Sequence, residues 1–246
     1  MLKTARDERR PGWGRLLMEG PAAARLLAAQ LGAARVREDV GKARPVMVIP
    51  AFLANDMTTV QLRRTLRACG FQAYGWRQGL NLGARRGKFE RLLRRIDIIA
   101  AETREPVALV GWSLGGLYAQ ELARAAPGSV RGLVTLGTPV VRWAPWVRTA
   151  SGIVDGGTRL LRGAAALPRP WAERGSLRVP ATSVYTRADG IVHWSSCRYE
   201  VRARRENVEV RGSHLGLACN PAVLWLLADR LGMAEGAWTP FRPRPD

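Results

Sequence analysis

The sequence predicts an α/β fold: a mostly parallel central sheet with helices on both faces and a small helical cap. Three observations predict it. Short apolar runs such as residues 46–49 and 107–110 alternate with longer stretches of helical spacing, the pattern of a parallel sheet crossed by helices. The chain has 246 residues, 47% of them hydrophobic, which suits one large packed domain. Residues 111–116 read Gly-Trp-Ser-Leu-Gly-Gly between a predicted strand and a predicted helix, so Ser113 falls on a sharp strand-to-helix turn.

The elements follow in order. Residues 1–20 are polar and carry Pro11, Gly12 and Gly14, which predicts a loose leader before a helix over 21–38. A basic loop at 41–44 enters a strand at 46–49 that ends in Pro50-Ala51-Phe52. Thr58 or Thr59 is the expected cap of a helix that runs toward Cys69 and stops at Gly70. A short strand at 71–74 and a Gly-rich loop at 76–87 come next. Apolar Leu92, Leu93, Ile96 and Ile99 then mark a helix over 88–103. After the strand, turn and helix around Ser113, a strand is expected at 130–136.

Residues 140–175 change character. Trp143, Trp146 and Trp171 stand among Gly, Ala, Leu and Arg without a strand pattern. An unstructured loop of that length is uncommon in a compact domain, so an inserted helical cap is expected, with Trp143 and Trp146 as cap or pocket residues. Strands at 180–186 and 207–210 and a helix from Pro221 complete the domain. The expected organisation is a leader and helix at 1–40, the α/β domain at 41–236 with its cap insertion, and an extended proline-bearing tail at 237–246.

Charge bounds the partners. Lys and Arg number 39 against 20 Asp and Glu, a formal net charge of +19. Such an excess favours anionic surfaces such as phospholipid headgroups. Spread along the chain as it is, it also reads as a solvated arginine-rich surface. No basic motif interleaved with aromatics is present, so a nucleic-acid partner is not expected. The N-terminus lacks an apolar core and residues 21–31 are too short and polar to span a bilayer. The expected location is cytoplasmic, with the option of a peripheral contact with an anionic membrane. Cys69, Cys197 and Cys219 make an odd, sparse set. A Cys197–Cys219 bridge and reduced thiols both remain open.

A serine hydroxyl needs a base to take its proton and an acid to orient that base. The chain has two histidines. His214 follows a predicted strand and lies downstream of Asp189, itself in a loop after a strand, giving the order Ser113, Asp189, His214. His193 is the rival base, but only four residues separate it from Asp189. It is read as a pocket or surface residue, and Trp112 as a pocket residue. Asp189 before Gly190 also suits a plain turn. Asp155 and Glu173 fall inside the expected cap. The backbone N–H groups of Leu114 and Phe52 are the expected oxyanion donors. Two histidines and scattered cysteines lack metal-ligand spacing, and no cofactor is indicated.

These pieces resemble the α/β-hydrolase fold superfamily in its bacterial lipase and esterase-like branches. The resemblance rests on Val-Ile-Pro-Ala-Phe-Leu at 48–53, the serine turn, Thr-Arg-Ala-Asp-Gly-Ile-Val at 186–192 and Gly-Ser-His-Leu-Gly-Leu at 212–217. It implies a serine hydrolase acting on a small-molecule or lipid ester through an acyl-enzyme. Acyl transfer or thioester cleavage by the same three residues is an alternative, and so is a non-catalytic membrane or polyanion binder on this scaffold. One departure is Pro50-Ala51 where the family usually has His-Gly or Pro-Gly. Alanine restricts positive φ, which bears on the Phe52 donor.

Overall fold

The computed structural model describes residues 13–31, 42–83, 86–140 and 177–242. The expected cap with Trp143 and Trp146, and the end of the tail, lie outside the described residues. Six strands form one parallel sheet: β1 (Pro45–Ile49), β2 (Gln72–Gly75), β3 (Val107–Trp112), β4 (Val130–Leu136), β5 (Ala181–Tyr185) and β6 (Arg205–Glu209). Their spatial order is β2-β1-β3-β4-β5-β6. The chain thus moves outward from β1 to β2, then returns past β1 to β3. The strand order reverses at β1/β3, where open parallel sheets leave a crevice beyond their carboxyl ends.

Alternation along each strand divides the core in two. Val46 and Val48 of β1, Ala108, Val110 and Trp112 of β3, and Val134 and Leu136 of β4 face one side. There they pack on Leu62 and Leu66 of α2 (Val60–Ala68) and on Val223, Leu226 and Leu227 of α5 (Pro221–Gly232). Met47, Ile49, Val107, Leu109 and Leu133 face the other side, against Leu92, Ile96 and Ile99 of α3 (Arg86–Thr103) and Tyr118 and Leu122 of α4 (Leu114–Ala125). Period-two strands buried on both faces need helices on both faces. Burying each Leu, Ile or Val side chain contributes about 1.5–3 kcal/mol.

Local chemistry sets the helix starts. Thr59 takes the N-cap position of α2, as expected, but its side chain makes no capping bond; Asn55 caps the 3-10 turn over Asp56–Thr59 that leads into the helix, its side chain accepting the Met57 N–H at 2.9 Å. Asn220 caps α5 by accepting the Ala222 N–H at 2.9 Å, with Pro221 at the first helical position.

The N-terminal segment departs from expectation. Its helix, α1, spans Trp13–Leu31, so residues 13–20 are helical rather than loose, while the expected stretch 32–38 lies outside the described residues. Pro21 sits inside it. Proline removes the N–H that would donate to the carbonyl of residue 17, and Leu17 lies on the solvent-exposed side of the helix. The helix is held by tertiary contacts to α2, to the turn before it, and to the 3-10 turn Leu215–Cys219. Cys69, Cys197 and Cys219 are all free thiols, so of the two readings left open by the sequence the bridge is not formed.

Candidate active site

Ser113 stands between β3 and α4 with φ 52° and ψ −119°. That conformation is costly for a residue with a Cβ, and the neighbourhood fixes it. The Ser113 N–H donates to the Leu136 carbonyl at the end of β4 (2.8 Å), and the Ser113 carbonyl accepts from Gly116 N–H and Thr138 Oγ1, each at 2.9 Å. Glycines make the turn fit: a Cβ at Gly111 would lie 2.6 Å from the Gly115 carbonyl oxygen, and one at Gly115 would strike the Ile49 carbonyl. Ser113 occupies the N-cap position of α4, yet its side chain makes no capping hydrogen bond. The hydroxyl is half-buried and not committed to the helix.

Asp189 and His214 meet at the same rim. Asp189 follows β5, and His214 follows β6 and opens the turn Leu215–Cys219. His214 Nδ1 lies 2.7 Å from Asp189 Oδ2, with both residues 2% exposed. Asp189 Oδ1 accepts the N–H groups of Ile191 (2.8 Å) and Val192 (2.7 Å). The carboxylate is therefore held by its own loop and aimed at the imidazole. An acceptor at Nδ1 places the ring proton there and leaves Nε2 as the basic nitrogen.

Residues beside the serine turn reach the His214 loop. Trp112, the residue before the serine, donates its indole N–H to the His214 carbonyl at 3.2 Å. Gly137, next to the Leu136 carbonyl that holds Ser113, lies under the ring: a Cβ there would be 2.9 Å from His214 Nδ1. Gly137 has φ 54°, which glycine adopts without strain. Burial alone would lower the His214 pKa, but the Asp189 charge and hydrogen bond, with a further contribution from Glu19, raise it above the ordinary histidine value.

The two loops expected to meet a developing negative charge lie where the strand order reverses. Leu114 begins α4, so its N–H has no intrahelical acceptor. The loop after β1 is tied down by Asn81, which is fully buried. Asn81 Nδ2 donates to the Pro50 carbonyl and Asn81 N–H to the Ala54 carbonyl, while Leu53 N–H donates to the Asn81 carbonyl, each at 2.8 Å. The positive φ of this loop falls on Leu53, at 57°, and not on Ala51. Ala51 therefore needs no positive φ, and Phe52 lies between it and Leu53, half-buried at the turn.

His193 is half-buried and stands apart from the acid, whereas Trp112 departs from its expected pocket setting. His193 Nδ1 pairs with Ser195 Oγ at 2.8 Å and its ring lies on Trp194. Asp189 thus pairs with His214 and not with the nearer histidine. Trp112 is a core residue, 2% exposed, packed on the α5 side of the sheet, and touches the site through its indole N–H.

Glu19 was not visible as a site residue. It is 4% exposed on α1. Its Oε1 accepts the N–H groups of His214 (2.8 Å) and Gly190 (3.0 Å), and Oε2 accepts that of Leu215 (2.9 Å). The α1 backbone also packs so closely on Gly190 that a Cβ there would lie 2.9 Å from Leu16 N. One carboxylate therefore clamps the acid loop and the histidine loop. A clue was present in the sequence, since Glu19 falls in a segment that becomes amphipathic once Pro21 is allowed inside a helix, but nothing local ties it to residue 214.

Among the described residues no group of three or more His, Cys, Asp or Glu is placed to hold a metal ion, and no helix is long and apolar enough to cross a membrane. No family model and no curated protein sequence matches the chain. Solved structures do. The chain is similar to the monoacylglycerol lipase of Paleococcus ferrophilus, with 16% identity and a TM-score of 0.52 over 76% of this chain and 96% of that one. It is similar to the carboxylesterase CesB of Bacillus subtilis, with 14% identity and a TM-score of 0.56 over 90% of this chain and 100% of that one. An esterase of Pyrococcus furiosus is similar at 13% identity and a TM-score of 0.53, over 79% and 82% of the two chains.

Proposed function

We propose that this chain, which has the α/β-hydrolase fold, is a serine hydrolase that cleaves a small-molecule or lipid carboxylic ester through an acyl-enzyme. The observation that carries the reading is the buried His214–Asp189 hydrogen bond at 2.7 Å, on the rim where Ser113 is held in its strained turn.

In this reading Ser113 Oγ attacks the ester carbonyl carbon and its proton passes to His214 Nε2. The carbonyl oxygen becomes negatively charged and is met by the backbone N–H groups of Leu114 and Phe52. The C–O bond to the alcohol breaks as His214 returns its proton to the leaving oxygen. Water then attacks the acyl-enzyme, giving a proton to His214, and collapse releases the carboxylic acid and restores the Ser113 hydroxyl. Asp189 keeps the Nδ1 proton in place and stabilises the imidazolium formed in each half-reaction.

A fluorophosphonate probe and a chain-length series of nitrophenyl esters test this. Wild type should label and turn over esters, and Ser113→Ala should do neither while remaining folded. A folded wild type that is inert to both, or labelling that persists in Ser113→Ala, overturns the reading.

A further inference from the structure

We propose that the cavity at the β2 edge of the sheet is a binding site for a phosphate-bearing anion. The cavity measures about 480 Å³, within the range of small-molecule sites. It is lined by Arg63 and Arg67 of α2, Arg77 after β2 and Arg95 of α3, with Tyr74 and a single carboxylate, Asp56. Ser113, Asp189 and His214 do not line it, so it stands independently of the esterase reading.

The charges in this cavity are not balanced from within. Asp56 is occupied by backbone: its Oδ1 accepts the Trp76 N–H at 2.9 Å and its Oδ2 the Arg77 N–H at 3.0 Å. Among the described residues no salt bridge joins it to any of the four arginines. Burial pushes the Arg63 guanidinium below its ordinary range; Asp56 pulls the other way, and Arg67 and Arg77 add to the push. Arg95 is lowered by burial and by Arg77, against the pull of Asp56, Tyr74 and Glu102. Four like charges held together in this way gain from any anion that enters.

The donors are also fixed in advance. Arg63 Nη2 donates to the Asp56 carbonyl (2.5 Å), Arg67 Nη2 to the Ala73 carbonyl (2.6 Å) and Arg95 Nε to the Gly75 carbonyl (3.2 Å). A guanidinium carries five N–H donors, so each anchored fork retains donors, and Arg63 Nε is buried without a partner. Several guanidinium forks around one space match the charge and the several acceptor oxygens of a phosphate better than a lone carboxylate. The arginine-rich cavity near the opposite ends of the strands is different. There Arg44 and Arg131 donate to the final carbonyls of α5, and Arg230 pairs with Glu206 and Asp229.

The same chemistry is offered by a soluble phosphate compound and by a phospholipid headgroup. Inorganic pyrophosphate, titrated calorimetrically into the full chain, probes the first. Co-sedimentation with phosphatidylglycerol vesicles, against phosphatidylcholine vesicles, probes the second. Saturable binding is expected in at least one arm, and the arm that binds names the source. Arg77→Gln, at an exposed position, should weaken it about tenfold, the equivalent of one charge-assisted hydrogen bond. Arg95→Gln should act alike, and Arg187→Gln, an exposed arginine elsewhere, should leave it unchanged. Binding in neither arm overturns the proposal. So does a loss in Arg187→Gln equal to that in the cavity variants, which would mark diffuse charge, or binding that both cavity variants retain in full.

Discussion

The carboxylate of Glu19 accepts the backbone N–H of His214 at 2.8 Å across 195 positions of sequence. The same side chain holds Gly190 and Leu215, so one carboxylate, bonded only to backbone N–H groups, sets the loops that carry both Asp189 and His214.

Glu19→Ala leaves three N–H groups without their acceptor, and two of them belong to buried residues. Each such loss costs about 1–3 kcal/mol. Chemical denaturation should show a destabilisation of about 3 kcal/mol or more, near the upper end for point substitutions. Glu19→Gln keeps one acceptor oxygen and turns an N–H donor toward at least one of the three groups. It should fall between wild type and alanine in stability. It also removes a charge that raises the His214 pKa, so its kcat/KM profile should move to lower pH.

The pH dependence of ester turnover has a definite sign. In the proposed mechanism His214 is a base only when neutral, and its pKa is raised, chiefly by Asp189 against the lowering effect of burial. The rate should therefore rise with pH through a midpoint above the ordinary histidine value. Stability should run the other way. A raised folded-state pKa stabilises fully below the unfolded value, and that contribution fades as pH climbs through the folded one. Paired kcat/KM and denaturation series across neutral pH would expose the opposition; parallel trends would contradict the assignment. Asp189→Asn should lower the midpoint, since burial then acts unopposed by that charge, and reduce kcat by about 10⁴.

Gly137→Ala tests the seat of the imidazole. A methyl group there would lie 2.9 Å from His214 Nδ1 and 3.0 Å from Leu217 Cδ1. The positive φ adds roughly 1–2 kcal/mol of strain for alanine. Activity should fall far more than the thermal midpoint would suggest, because the ring must move. Equal losses in both would mean that the ring stays put.

The two histidines should separate cleanly. His214→Ala should abolish ester turnover, whereas His193→Ala removes a contact to Ser195 and a ring packed on Trp194 and should retain most of it. Initial rates on one nitrophenyl ester suffice. The opposite ranking would move the base to residue 193.

The sheet was legible wherever the strands are buried on both sides. Strand 130–136 has the same bounds in sequence and structure, and the turn at Ser113 is read from its glycines because no larger residue fits there. The Asp189–His214 pair could be read from order along the chain, since each follows a strand at the same rim. The 21–31 part of α1 was legible, but its first turns at 13–20 were not, because Pro11, Gly12 and Gly14 read as a loose leader while the docking of the helix onto the Leu215–Cys219 turn is purely tertiary. Glu19 was hidden for the same reason. The arginine cavity draws on α2, α3 and the loop after β2, so its clustering exists only after β2 pairs with β1. In the sequence it is diluted into a chain-wide excess of positive charge.

The Gly190 contact with the α1 backbone has a bearing on protein engineering. Because one brace spans the Gly190 and Leu215 segments, substitutions at Gly190 and around Leu215 share a common support, and their energetic effects should be non-additive in a double-mutant cycle. Directed evolution that varies either segment alone works against a scaffold already set by the other, so libraries that randomise both together with position 19 should reach active sequences that stepwise searches miss.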